Sequence, residues 1–400
     1  MGGIISGNKN HDYSVDSTDN TYLKRGWGHV YNKYDLVRLL RNWGENQGNG
    51  GVYDWIQRGV KYGGSSESQY MVAEMSKDGS TLVVAEPNFD NSNGDKGKVT
   101  IFRISSFYEF DVLYDTITPD SETDVNIIDF GRSLAVSGNG MSVAIGQIWQ
   151  QESNGKKSEK LYSYQDNGTN FDRQDLLTHT DSSTDPNIWD QGLTPTALNH
   201  DGSIIVYGSY KAGPSETSGT IGNNVGGIRI RKINQSKTEW LGGRVLVGTE
   251  NDSYLGASVA VSGSGLRFIT TAPGTLNDRG EAQVYDWSGN DLEDPVLIGI
   301  GGDNIFLTNP GDTITGDYTN YNVGISRDSS MIAVCGKNFV RTYTYNDIGD
   351  SWNQYGQSIE DNIYSNVSLS DNGFSMAISN ITIGDKGPAR IYRSEADRWL

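Results

Sequence analysis

Cysteine is almost missing from these 400 residues: Cys335 stands alone, which excludes an internal disulfide and any cysteine-cluster metal site. It ends the apolar run Met331-Ile332-Ala333-Val334-Cys335 and is expected to be a buried, inert thiol. No uninterrupted apolar run approaches the roughly 18 residues that a membrane-spanning helix needs, so no transmembrane segment is expected. Basic residues are outnumbered, 32 Lys and Arg against 50 Asp and Glu, for a formal charge of −18. A surface that negative repels phosphate backbones, which argues against nucleic-acid partners. The four histidines, His11, His29, His179 and His200, lie in separate segments without the spacing of a helix-borne zinc site. No Walker-type phosphate loop is present. The first ten residues lack the apolar centre of a secretory signal peptide, from which a cytoplasmic location is expected rather than classical secretion.

What the chain does have is glycine, 50 residues of it, and a pattern that recurs six times: an apolar run, a tight polar turn, a second apolar run. The turns are Lys77-Asp78-Gly79, Gly138-Asn139-Gly140, His200-Asp201-Gly202, Gly263-Ser264-Gly265, Arg327-Asp328-Ser329 and Asp371-Asn372-Gly373. Their middle residues are separated by 61, 62, 63, 64 and 44 positions. Such self-similarity means one supersecondary unit copied along the chain. In the clearest copy, Ala257-Ser258-Val259-Ala260-Val261 leads through a glycine turn into Leu266-Arg267-Phe268-Ile269-Thr270-Thr271. Ala282-Gln283-Val284-Tyr285-Asp286-Trp287 forms a third strand, and a weaker fourth follows. Each unit reads as a four-stranded antiparallel meander. Small residues on the first strand (Ala73, Ala135, Ala197, Ala257) suit the crowded position nearest a central axis. Radial repetition of such sheets is an all-β propeller.

Blade number depends on the amino-terminal region. Seven blades are favoured, with residues 30–41 supplying two strands, and six is the alternative. The helical spacing of Leu36, Leu39, Leu40 and Trp43 favours six. Because the last unit reaches the carboxyl terminus at Trp399-Leu400, an amino-terminal strand is expected to complete the ring. Residues 1–25 are read as an amino-terminal arm and 26–400 as the propeller. The short last step has a local cause: little more than Gly336-Lys337-Asn338 joins the second and third strands there. Longer connections at 86–97, 148–158, 209–226 and 272–280 are expected to crowd one rim, where binding usually resides.

At Phe130-Gly131-Arg132-Ser133-Leu134-Ala135-Val136-Ser137, Leu255-Gly256-Ala257-Ser258-Val259-Ala260-Val261-Ser262 and Thr271-Ala272-Pro273, the repeat resembles FG-GAP-type propeller repeats. The segments Trp55-Ile56-Gln57-Arg58-Gly59 and Trp352-Asn353-Gln354-Tyr355-Gly356 look like a variant common in environmental microbes and their viruses. That resemblance implies a propeller used for adhesion or assembly, with no shared catalytic residues to carry over. Many such relatives bind calcium through Asp/Asn-rich loops. Here Asp90-Asn91-Ser92-Asn93-Gly94-Asp95 is the nearest approach, with Asp90, Asn93 and Asp95 as candidate ligands, and it lacks the terminal bidentate Glu of a twelve-residue calcium loop.

The chemistry-bearing candidates are few. His200 occupies a hairpin turn equivalent to Lys77 and Arg327 and is expected to be solvated. Gly131-Arg132-Ser133 and Gly256-Ala257-Ser258 lack the closing glycine of a nucleophile elbow. Propeller glycosidases use channel carboxylates, but no pair is nominated. Trp149, Trp189 and Tyr210 are expected to be loop aromatics that stack sugars or anchor a protein. Met1-Gly2-Gly3-Ile4-Ile5-Ser6 matches the myristoylation pattern, with Gly2 as acceptor and Ser6 at the favoured position, so peripheral membrane contact is an expectation. The leading expectation is a non-enzymatic scaffold that contacts protein partners through one rim, in the cytoplasm or a virion. The alternative is a carbohydrate-binding, adhesin-like propeller.

Overall fold

A computed structural model describes residues 71–87, 89, 97–103, 112–119, 127–150, 157–178, 195–210, 224–290, 292–298, 305–309, 312, 314, 321–346, 348, 351–360, 366–379, 389–395 and 398–399. All of them belong to one compact unit, Tyr62–Arg103 with Val112–Leu400.

Six antiparallel sheets follow one another, and in each the strands are hydrogen-bonded in chain order. Blade 1 comprises β1 (Val72–Met75), β2 (Thr81–Glu86), β3 (Lys98–Arg103) and β4 (Val112–Ile117). Blade 2 comprises β5 (Ile127–Val136), β6 (Ser142–Gln150), β7 (Lys157–Asp166) and β8 (Phe171–Thr178). Blade 3 comprises β9 (Thr196–Leu198), β10 (Ile204–Gly208), β11 (Gly227–Ile233) and β12 (Trp240–Val247). Blade 4 contains β13 (Val259–Val261), β14 (Arg267–Ala272), β15 (Glu281–Asp286) and β16 (Val296–Ile298), with a short β17 (Ile305–Phe306) also paired to β15. Blade 5 contains β18 (Val323–Ile325), β19 (Met331–Gly336), β20 (Phe339–Asn346) and β21 (Ser351–Glu360). Blade 6 contains β22 (Asn366–Leu369), β23 (Ser375–Ser379), β24 (Ala389–Glu395) and β25 (Arg398–Trp399).

Six blades, not seven, complete the circuit among the described residues. The inner strands β1, β5, β9, β13, β18 and β22 contact one another in that order. Lys77 Nζ then donates to Leu369 O at 3.1 Å, joining the last blade to the first. In blade 6 a fourth strand begins at the carboxyl end, where Ser394 pairs with Trp399 and Glu395 with Arg398, and the expected amino-terminal closing strand falls on residues that are not described. Residues 1–70 lie outside the described residues.

The second strand of a blade is apolar on both faces because both faces are covered. Along β19, Ile332 and Val334 enter a core shared with blade 4, whereas Ala333 and Cys335 enter a core shared with blade 6. Along β10, Ile204 and Val206 face blade 4, and Ile205 and Tyr207 face blade 2. Alternation of side chains across a strand thus becomes alternation between two neighbours. Cys335 is fully buried, and that burial pushes its thiol pKa up, away from nucleophilic use.

Outer strands latch onto the preceding blade through aromatic residues. Trp240 at the start of β12 donates from Nε1 to Ser163 Oγ of blade 2 at 2.8 Å. Trp399 does the same from β25 to Thr342 Oγ1 of blade 5 at 2.9 Å. Between blades 1 and 2, Arg103 and Tyr114 converge on Asp166, each at 2.6 Å. One connection differs from expectation and one matches it. In blade 2 the ladder continues through Trp149↔Ser158 and Gln150↔Lys157, which shortens the loop. In blade 5 Gly336 pairs with Phe339 across Lys337 and a left-handed Asn338, which accounts for the short repeat.

Trp399 is 3% exposed, so Trp399→Ala should cost about 3–5 kcal/mol through lost burial and the cavity left behind. Urea unfolding at constant m-value reads this directly, and an unchanged midpoint would show that β25 is not part of the cooperative fold.

Candidate functional site

The six hairpin turns between first and second strands share one internal geometry. A Ser or Asn at the end of the inner strand accepts the backbone N–H five residues on: Thr81 to Ser76 Oγ at 3.0 Å, Ser142 to Ser137 Oγ at 2.9 Å, Ile204 to Asn199 Oδ1 at 2.9 Å. Arg267 to Ser262 at 3.3 Å, Met331 to Ser326 at 3.0 Å and Ser375 to Ser370 at 3.0 Å complete the series. The middle Asp, Asn or Ser then accepts a second N–H two residues on, as Ser330 to Asp328 at 3.0 Å.

These turns are also bonded to each other. Asp78 N–H donates to Gly138 O at 3.0 Å, Asn139 to His200 O at 2.9 Å, His200 to Gly263 O at 3.1 Å, Gly263 to Arg327 O at 2.9 Å and Arg327 to Asp371 O at 2.9 Å. With the Lys77 bond they form a belt around one mouth of the hub. The first position of each turn therefore comes to one place: Lys77, Gly138, His200, Gly263, Arg327 and Asp371. The two glycines among them have a steric reason. A Cβ at Gly138 would collide with the His200 imidazole, and one at Gly263 with the Arg327 side chain.

An open depression of about 640 Å³ lies at this mouth, lined among others by Asn199, His200, Ser264, Arg327, Asp371 and Asn372. Apart from Gly263 its lining residues all carry polar side chains, although carbon atoms supply the larger part of the exposed lining. Arg327 Nη1 approaches Asp371 Oδ2 at 3.5 Å, while Asp371 Oδ1 is enclosed without a hydrogen-bond partner. His200 Nδ1 is likewise enclosed and unpartnered, against Gly138. The neutral ring therefore best carries its proton on Nε2, which spares a buried N–H without an acceptor. Two other carboxylates here are already spoken for. Burial alone would raise the Asp328 pKa, but hydrogen bonds from Ser326 and Ser330 outweigh it and hold the carboxyl below its usual range. Asp201 is held low in the same way, against burial, by Ser203, Asn199 and Lys237.

The sequence candidates fare differently. His200, expected to be solvated, is half-buried and clamped over Gly138. Tyr210, expected to be an exposed loop aromatic, is 5% exposed and packs 6.3 Å from the Tyr254 ring. Trp149 belongs to β6 rather than to a loop. Gly2, Ser6, Asp90, Asn93, Asp95 and Trp189 lie outside the described residues. Among the described residues no group of three or more His, Cys, Asp or Glu is placed to hold a metal ion, and no helix is long and apolar enough to cross a membrane.

Sequence reasoning missed one residue, Glu74. Counting four residues back from each turn centre, and checking against the pairings Glu74↔Val83, Ala135↔Ala144, Ala197↔Val206, Ala260↔Ile269, Gly324↔Ala333 and Ser368↔Ala377, puts these six at one hub position. The small-residue ring is thus Ala135, Ala197, Ala260, Gly324 and Ser368, and Ala73 and Ala257 do not belong to it. Glu74 breaks the series. The turn spacing alone would have revealed it.

No protein-family model and no curated protein matches the chain. Solved structures do. A periplasmic gluconolactonase of Pseudomonas aeruginosa is 14% identical over 81% of this chain and 80% of that chain, with a TM-score of 0.49. A candidate 6-phosphogluconolactonase of Bacteroides uniformis is 13% identical over 84% of each chain, also with a TM-score of 0.49. A functionally unknown protein of Desulfotomaculum acetoxidans is 9% identical over 82% of this chain and 83% of that chain, with a TM-score of 0.47. The likeness is one of fold. Proteins named as lactonases are among these neighbours, against the expectation of a non-enzymatic scaffold, and that expectation is not carried further.

Because Asp201 and Asp328 have folded pKa values below the usual 3.8, their turns contribute stability above that value and lose it as pH falls through the folded values. Asn139 already makes the equivalent bond, from Met141 N–H at 3.0 Å. The double substitution Asp201→Asn and Asp328→Asn should therefore preserve the fold at neutral pH and flatten the acid side of the Tm-versus-pH curve. An acid limb as steep as that of the parent protein would contradict this account.

Proposed function

We propose that this propeller is a hydrolase for small, hydroxyl-rich ligands held at the belt mouth. Hydrolysis needs polar groups to hold the substrate, a proton-transferring group and water, and the mouth supplies the first of these in quantity. The observation that carries the reading is the convergence of His200, Arg327, Asp371 and Asn372 on a depression of about 640 Å³ whose other carboxylates, Asp201 and Asp328, are satisfied within their own turns. Sugar-acid lactones join hydroxyl groups to a hydrolysable acyl bond and are the first substrate class to test. The repeat itself we assign to the FG-GAP type. The shared left-handed φ angles of Gly131 (91°) and Gly256 (89°), the glycines of the Phe-Gly and Leu-Gly pairs, support that kinship.

Glucono-δ-lactone and disaccharide-derived lactones, assayed by proton release over spontaneous hydrolysis, provide the test. The wild-type chain should accelerate at least one of them, and His200→Ala and Asp371→Asn should each raise KM by about 10-fold, in line with loss of one hydrogen bond to the ligand. Rates equal to buffer across the panel, or variants with unaltered KM, would sink the reading.

A further inference from the structure

We propose that Glu74 is the proton-transferring carboxyl of the central passage and a further catalytic residue for the hydrolysis inferred above, on which this assignment rests. The argument begins with the register. Five blades place Ala135, Ala197, Ala260, Gly324 and Ser368 at this hub position, and the blade 1 residue is Glu74. These side chains face the inner strand of the following blade: Ala135 joins the core between blades 2 and 3, and a Cβ at Gly324 would meet the backbone of Val367, Ser368 and Leu369. Inner strands approach closely here, so small residues are what the packing accepts. A carboxylate in the same ring adds nothing to packing.

Glu74 is nevertheless exposed, as is Ser368. Its side chain is thus exposed while hub strands crowd around it, and we take it to line the space at the axis. Burial accordingly pushes its carboxyl pKa up, with Lys77 partly opposing. The facing stretches carry no other ionisable side chain: Leu82, Val83, Val84 and Ala85 on β2, Ser133, Leu134, Ala135 and Val136 on β5, and all of β22. Glu86 at the far end of β2 is engaged with Lys98 at 2.8 Å, and Arg132 before Ser133 with Asp129 at 3.0 Å.

Lys77, at the mouth, lies three residues from Glu74, about 10 Å along an extended strand. A ligand held by His200 and Asp371 would present its scissile bond to Glu74 only if it extended one ring deeper. The substrate class is therefore a sugar-acid lactone carrying a second sugar ring. In the step, the acyl C–O bond breaks as the Glu74 carboxyl gives its proton to the departing ring oxygen. Water delivers hydroxide to the acyl carbon, and its remaining proton restores Glu74. Lactone and water become a hydroxy acid, with Glu74 unchanged.

The test pairs kinetics with a readout that does not depend on turnover. Glu74→Gln should lower kcat for a disaccharide-derived lactone by about 10²–10⁴-fold, as expected for loss of a general acid, with KM nearly unchanged. It should also abolish the alkaline limb of the kcat–pH profile. In the unliganded wild-type protein, the ¹³C-carboxyl resonance that disappears in Glu74→Gln should titrate above the ordinary 4.5. The sign of the stability effect follows. A folded pKa above the unfolded one means stability is complete below 4.5 and declines as pH rises, so Glu74→Gln should raise Tm at pH near 8 and leave it unaltered near pH 4. A wild-type enzyme whose kcat survives Glu74→Gln overturns the assignment and leaves the hydrolase reading standing, as does a carboxyl that titrates normally. A raised carboxyl in a protein without turnover overturns both.

Discussion

The belt of hydrogen bonds between hairpin turns is the constraint from which the rest of the architecture follows. Each turn satisfies its own backbone through a Ser or Asn side chain, and the four turns away from the seam also present one N–H and one C=O to their neighbours. Turns built this way can be arrayed around an axis with no orphaned backbone groups at the most crowded part of the fold. Most links in the belt are backbone to backbone, but blades 6 and 1 are joined by the Lys77 ammonium on Leu369 O. That seam is where the chain's two ends of the ring meet. A flexible side chain tolerates imperfect register there better than a rigid ladder would.

Beyond the belt, stability comes from blades sharing cores rather than owning them. A second strand such as Ile332-Ala333-Val334-Cys335 serves two clusters at once, and no blade has a hydrophobic interior apart from its neighbours. A single sheet of this kind could not bury its faces alone. The same closeness leaves little room at the hub, which explains the Ala, Gly and Ser ring. It also makes Glu74 informative. A residue that costs stability at a position where packing asks for alanine is more readily explained by chemistry than by folding.

Much of this was legible in the residues. The six turns, their spacing, the four-strand unit, the short blade 5 connection and the buried Cys335 all follow from local rules: period-two apolar runs, Gly and Asx turns, and the need to bury two-faced strands. Blade number did not follow, because it depends on whether the sixth inner strand reaches the first, a non-local fact carried by Lys77 and Leu369. Tyr210 and Trp149 were misread because a polar stretch of sequence does not say whether its aromatic turns inward or its ladder runs on.

The mouth shows the division most clearly. Sequence placed His200 at a turn equivalent to those of Lys77 and Arg327 but read it as solvated, since it looks like an isolated surface residue. Only the closed ring brings them beside Asp371, lays imidazole over Gly138 and leaves two polar atoms without partners. Repetition along the chain determined that there would be identical units with polar tips. How many units close, and therefore which tips face one another across the axis, was decided by three-dimensional packing, because residues about 60 or even 292 positions apart meet only once the circle is complete.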